Sequence, residues 1–271
     1  MRYQSKSTIS YILRNFWRLA PWTVAVSVLS GFFITDQPLI NFVRNYAAGN
    51  VNSGNFVEGL VNAATVLRFG KYWWCVILTV LLFAFIESIL IVKVARHMRV
   101  GEMSRFPLKG AIAVLPTALL FTLGVTVFYE LLNMAVVGIA YLMRSANVIA
   151  STVVSAVLMF AVRAITVFFA SALLLSFPIM FEENYRFGSA LSYSVRLALD
   201  KRWFFIAVSL IYPLAQLALV ALCAWVNITA VTVTLYSLFV LFFSLYAPCV
   251  AFKIYYDSVG GTRRDVTHTI F

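Results

Sequence analysis

Apolar residues in this chain fall into long runs separated by short polar stretches, and the longest run covers residues 111–180. Its only ionisable members are Tyr129, Glu130, Tyr141, Arg144 and Arg163. A helix needs about 20 apolar residues to cross the hydrocarbon core, so this run holds either two long membrane helices or three ordinary ones. Arg144-Ser145-Ala146-Asn147 is its one polar interruption with turn character, which predicts a helical hairpin with arms at 111–143 and 147–180. Straight arms of that length would measure roughly 50 Å, more than a bilayer with its headgroups, so they are expected to tilt, kink or protrude. Four further runs, at 21–35, 73–92, 203–226 and 229–252, complete six spans.

The segments between the runs carry helical periodicity of their own. Ser7 and Thr8 can cap a helix with Ile9, Ile12, Leu13, Phe16 and Trp17 on one face, an interfacial entry helix ahead of Pro21. Between 36 and 71, Phe56, Leu60, Ala64 and Leu67 predict a short amphipathic helix on the outer surface. After the hairpin, Phe187, Leu191, Val195 and Ala198 predict a half-buried helix along the opposite surface. Pro116, Pro178, Pro213 and Pro248 lie in the third to sixth spans, where each removes a helix hydrogen bond and is expected to kink its helix. A weak echo links Ser10-Tyr11, Arg14 and Ala25-Val26-Ser27 with Ser192-Tyr193, Arg196 and Ala207-Val208-Ser209. It pairs the first span with the fifth and does not fit a three-plus-three inverted repeat.

Composition agrees with the pattern. With 62% hydrophobic and 11% charged residues, the chain lies well outside soluble composition, for which about 25% charged is usual. A single integral membrane domain over 1–271 is expected. The net charge of +11 would fit nucleic acid in a soluble protein, but here its meaning depends on position. On the six-span model four Lys and Arg precede the first span, five lie at 93–109, four at 182–202 and three after the last, so 16 of the 21 fall on one side. The positive-inside rule then places both termini in the cytoplasm and predicts contact with anionic headgroups there, not with nucleic acid. A three-span reading of 111–180 would put Arg186, Arg196, Lys201 and Arg202 outside, which argues against it. The basic amino terminus is followed by no small-residue cleavage site, so the first span is read as an uncleaved anchor.

Three ionisable residues within spans stand out, because such residues are costly in lipid and mark function by default. Glu130 and Arg163 lie at matching distances from the hairpin turn, so they form a candidate intramembrane pair. Either the pair fixes hairpin packing, or it joins Glu87 of the second span in a substrate or proton pathway. Cys75, Cys223 and Cys249 lack metal or disulfide spacing, and His97 and His268 lie in separate polar segments, His97 reading as a surface residue near headgroups. No phosphate-binding, dinucleotide, zinc-protease or serine-hydrolase motif is present. No catalytic residue, metal or cofactor is therefore expected, and an intramembrane enzyme is the least supported class.

The segment Pro178-Ile179-Met180-Phe181-Glu182, followed by Phe187, Ala190, Ser194, Leu197 and Trp203, together with the tail Tyr255-Tyr256-Asp257, resembles a bacterial group of six-span domains. These occur alone or fused, as the membrane domain, to glycerophosphodiester phosphodiesterases. The specific likeness covers about 30 residues and implies a non-catalytic membrane domain with a cytoplasmic surface helix that includes Glu182, Phe187, Leu191, Ser194 and Trp203. The phosphodiesterase part is absent, so that activity does not carry over. Glu182 and Gly188 also have the spacing found in the coupling loop of ABC importers, but Glu183 and Asn184 replace its alanines, and a downstream Leu-Pro is missing. The expectation is an all-α polytopic bundle of six transmembrane helices with interfacial amphipathic helices, in a bacterial inner membrane. Its role is an accessory or scaffold; the alternative is a small-molecule permease or transporter subunit with a membrane-protein or ATPase partner.

Overall fold

The computed structural model describes residues 2–33, 37–50, 56–64, 73–103, 107–143, 148–226 and 228–259. Every regular element among them is helical: α1 (Arg2–Phe33), α2 (Gln37–Ala47), α3 (Phe56–Ala64), α4 (Trp73–Val100), α5 (Leu108–Met143), α6 (Val148–Leu174), α7 (Ser176–Glu183), α8 (Phe187–Asp200), α9 (Arg202–Val226) and α10 (Thr229–Val259). Six stretches are long and apolar enough to cross a membrane, so the chain is a multi-pass helical bundle. Backbone groups in lipid must be satisfied within the segment, which is why the apolar runs fold as unbroken helices.

The first span and its entry helix prove to be one continuous helix, with Pro21 inside it. The Thr23 hydroxyl donates to the Ala20 carbonyl at 2.9 Å, within the turn that Pro21 loosens. Helix α1 runs antiparallel along most of α10. Small residues permit this approach: a Cβ on Gly31 would stand 2.8 Å from the Val233 carbonyl oxygen and would collide with the Ser237 hydroxyl. Thr23, Ser27 and Ser30 continue the buried stripe on α1, a means of close packing where lipid supplies no hydrophobic drive between helices.

The helix ends fall into two sets. At one, Tyr11 of α1 meets His97 of α4, the Gly110 end of α5 meets Val92 of α4, and the last turns of α10 meet α7. Exposed Arg14, Arg18, Arg96, Arg99, Lys109 and Arg186 cluster at this basic end. One core cluster lies beneath it, built on α4, on Leu175, Phe177 and Ile179, and on the last turns of α10. A second core cluster occupies the other end, where Leu39, Ile40, Phe56 and Leu60 of α2 and α3 pack with Val136, Met159 and Val220.

Several elements differ from the sequence reading. The connection expected to hold one surface helix holds two, α2 and α3. They pack on one another and against α9 and α5 respectively, burying Phe56 and Leu60 completely or nearly so. Leu67 lies outside the described residues. The second hairpin arm runs through α6 and α7 with one residue of turn at Leu175, whose backbone stays in the right-handed helical region. Asn184, in the left-handed region with φ 54°, turns the chain from α7 into α8, a conformation asparagine tolerates better than most residues. Helix α8 buries Ala190, Ser194, Leu197 and Ala198, whereas Phe187 and Leu191 are half-buried and Val195 is exposed. Small side chains decide that choice of face, because they let α8 approach α7 and α6. Helix α10 runs seven residues beyond Phe252, and Lys253 to Tyr256 are buried. The hairpin turn at 144–147 lies outside the described residues.

Candidate functional site

Two contacts fix the register of the α5–α6 hairpin. The Ser151 hydroxyl donates to the Ala140 carbonyl at 3.3 Å, and the rings of Phe128 and Phe169 lie 4.6 Å apart between centroids. Glu130 and Arg163 fall between these two contacts and therefore sit at one level. Both are buried, at 9% and 4% exposure. One turn along each helix, Asn133 and Thr166 add polar atoms to the same layer, and both side-chain atoms of Asn133 are buried with no hydrogen-bond partner among the described residues. A buried amide in that condition is a place for water or a polar ligand atom. The sequence signal for Asn133 and Thr166 was their spacing of three from Glu130 and Arg163.

Glu87 is not part of this layer. Val92 stands against Gly110 across the antiparallel α4–α5 pair, which brings Glu87 level with about Leu115. Glu130 is then about 15 residues farther along α5, some 22 Å at the rise of an α-helix. Glu87 is buried instead within the basic-end half of α4. One turn and a half beyond it, the buried Lys93 holds its ammonium 5.0 Å from the centre of the Trp22 ring, a cation–π contact strengthened by burial. His97 is not a free surface residue. Its Nδ1 shares a hydrogen bond with the Tyr11 hydroxyl at 2.8 Å, and the two rings are 5.5 Å apart.

At the basic end Glu182 and Glu183 hold α10 to α7. The Tyr256 hydroxyl donates to Glu182 Oε1 and the Tyr255 hydroxyl to Glu183 Oε1, each at 2.7 Å. These are charge-assisted bonds, among the stronger kind. On α8, Ser194 is fully buried and its hydroxyl donates to the Leu191 carbonyl. Phe187 and Leu191 flank that face, and Trp203 of α9 is 71% exposed. The surface-helix residues thus split between packing and outward-facing positions.

A cavity of about 180 Å³ opens at the other end, between α2, α3, α6 and α9. Thr152, Ser155, Ala156, Met159, Phe160 and Arg163 form one continuous face of α6 along it, a stretch of about 16 Å. Phe56, Leu60 and Val220 close it from the other helices. Among the described residues Arg163 is the one Lys, Arg, Asp or Glu side chain on its wall. Among the described residues no three His, Cys, Asp or Glu side chains gather in a way that could hold a metal ion. The three cysteines are buried free thiols.

Comparison with known protein families, curated proteins and solved structures gives no match to this chain.

Proposed function

We propose that the chain is a non-catalytic multi-pass protein of a bacterial inner membrane, an accessory or scaffold whose basic end rests on the anionic cytoplasmic leaflet. The observation that carries this reading is the grouping of exposed Arg14, Arg18, Arg96, Arg99, Lys109 and Arg186 at one end, beside Trp17 and Trp203 at 84% and 71% exposure. Each such cation near an anionic surface contributes about 1 kcal/mol, and exposed tryptophans favour the headgroup level. Kinship with the six-span domains found fused to glycerophosphodiester phosphodiesterases is supported by two meetings in space. Glu182 and Tyr256, which carry that resemblance from distant parts of the chain, are hydrogen-bonded to one another. Ala190, Ser194 and Leu197, which carry it on α8, make up most of the helix's buried face.

The test is reconstitution into nanodiscs of phosphatidylcholine alone or mixed with phosphatidylglycerol. The anionic lipid is expected to raise the unfolding temperature, and both added salt and the combined Arg18→Gln, Arg99→Gln and Arg186→Gln substitutions to remove the gain. Equal stability in the two lipids would count against the reading. The second reading, a small-molecule permease or transporter subunit, is favoured by the cavity that reaches Arg163. Co-purification of an ATPase with the full chain would select it.

A further inference from the structure

We propose that the cavity under α2 and α3 binds a single-chain alkyl carboxylate, with the carboxylate on Arg163 and the chain lying along α6 toward the lipid. The site stands on the cavity and not on the role of the protein as scaffold or transporter.

Shape selects the first part of the ligand. At about 180 Å³ the cavity is smaller than a drug-sized pocket of roughly 300–1,000 Å³, and it follows a helix face about 16 Å long. A slot of that form accepts one chain and not a fused ring system or a two-chain lipid. Met159 and Phe160 of α6, with Phe56, Leu60 and Val220 opposite, make its middle apolar. Val43, Tyr46 and Leu217 form the rim, each about two-fifths exposed. Leu217 lies on α9, one of the helices long and apolar enough to span the membrane, so a chain end that passes it reaches the lipid side of the bundle.

Charge selects the second part. An arginine guanidinium carries five N–H donors in a planar fork. A carboxylate can engage two of them at once. Ser155 cannot take the head, because its hydroxyl already donates to the Ser151 carbonyl at 2.7 Å and presents acceptor lone pairs only. The anionic head therefore belongs at the Arg163 end. A neutral amphiphile of the same length brings no charge to Arg163, and a cationic one meets it with like charge.

The experiment uses the full chain in zwitterionic nanodiscs and three probes of equal length: octanoate, 1-octanol and octyltrimethylammonium. Binding to the folded state raises the unfolding temperature with ligand concentration. Octanoate is expected to bind at least about tenfold more tightly than octanol, as one charge-assisted pair warrants, and the ammonium probe weakest of all. Ala156→Trp, which fills the slot from α6, is expected to abolish octanoate binding while the protein remains folded. Arg163→Lys is expected to keep weakened binding with the carboxylate still preferred, and Arg163→Gln to bring octanoate and octanol to equal affinity. Equal affinity of octanoate and octanol in the unaltered protein, or unchanged octanoate binding in Ala156→Trp, would overturn the proposal. Both outcomes can be read even where Arg163→Gln does not fold.

Discussion

Single side chains carry this bundle's polar chemistry, and Glu87, Lys93, Glu130, Arg163 and Lys253 are buried within it. Glu130 and Arg163 share a level in the hairpin, so their energies are expected to be coupled. Arg163→Leu alone leaves a carboxylate in a low-dielectric layer, which typically costs about 3–5 kcal/mol, and adding Glu130→Leu is expected to recover most of the loss. A double variant no more stable than the single one in denaturant titration would show that the two are independent. At the basic end, Tyr256→Phe removes the donor to Glu182 and is expected to lower stability by about 1–2 kcal/mol. Glu130 and Arg163 stand out in the sequence as ionisable residues within apolar runs. Spacing gave no warning that His97 bonds Tyr11 across 86 positions, or that Lys93 finds Trp22, because each partner lies on a helix whose neighbours a hydropathy profile does not specify.

Among the elements, the spans were legible because apolar length is what the bilayer demands, and their ends were not. Pro21 reads as a start in sequence, yet α1 continues through it. The fourth span reads as one helix and runs as one stretch from Ala150 to Glu183, with a single residue of turn at Leu175. The face chosen by α8 follows small side chains and not the large apolar ones that dominate a periodicity count. Size at helix contacts also gives a direct prediction for α1 against α10. Gly31→Ala places a methyl on the Val233 carbonyl and Ser237 and is expected to cost about 1–3 kcal/mol as an overpacked contact. Gly124→Ala, on α5 with nothing near its Cβ position, is expected to be neutral or slightly stabilising, since alanine is the better helix former. Equal effects of the two in thermal unfolding would mean that α1 and α10 are not in close contact.

For the whole molecule, the charge pattern and the helix packing divide the bundle in the same way. One end gathers the cations, the Glu–Tyr contacts between α7 and α10, and the larger core cluster. The other holds the roof of α2 and α3 over a cavity that reaches Arg163. The asymmetry of Lys and Arg was visible in sequence before any fold. The cavity was not, because α2 lacks the long apolar run that announces a span, and its walls come from four separate helices.

The most direct test of the account is the sidedness of these two ends. In a background where Cys75, Cys223 and Cys249 are replaced by serine, Ala48→Cys, Ser145→Cys and Glu102→Cys are each treated with a membrane-impermeant maleimide, in intact cells and in inverted vesicles. Ala48→Cys, at an exposed position after α2, and Ser145→Cys, between α5 and α6 in the sequence, are expected to react only in intact cells. Glu102→Cys, exposed beyond α4, is expected to react only in inverted vesicles. Reaction of Glu102→Cys in intact cells, or of Ser145→Cys only in inverted vesicles, would contradict the six-span arrangement with its basic end in the cytoplasm.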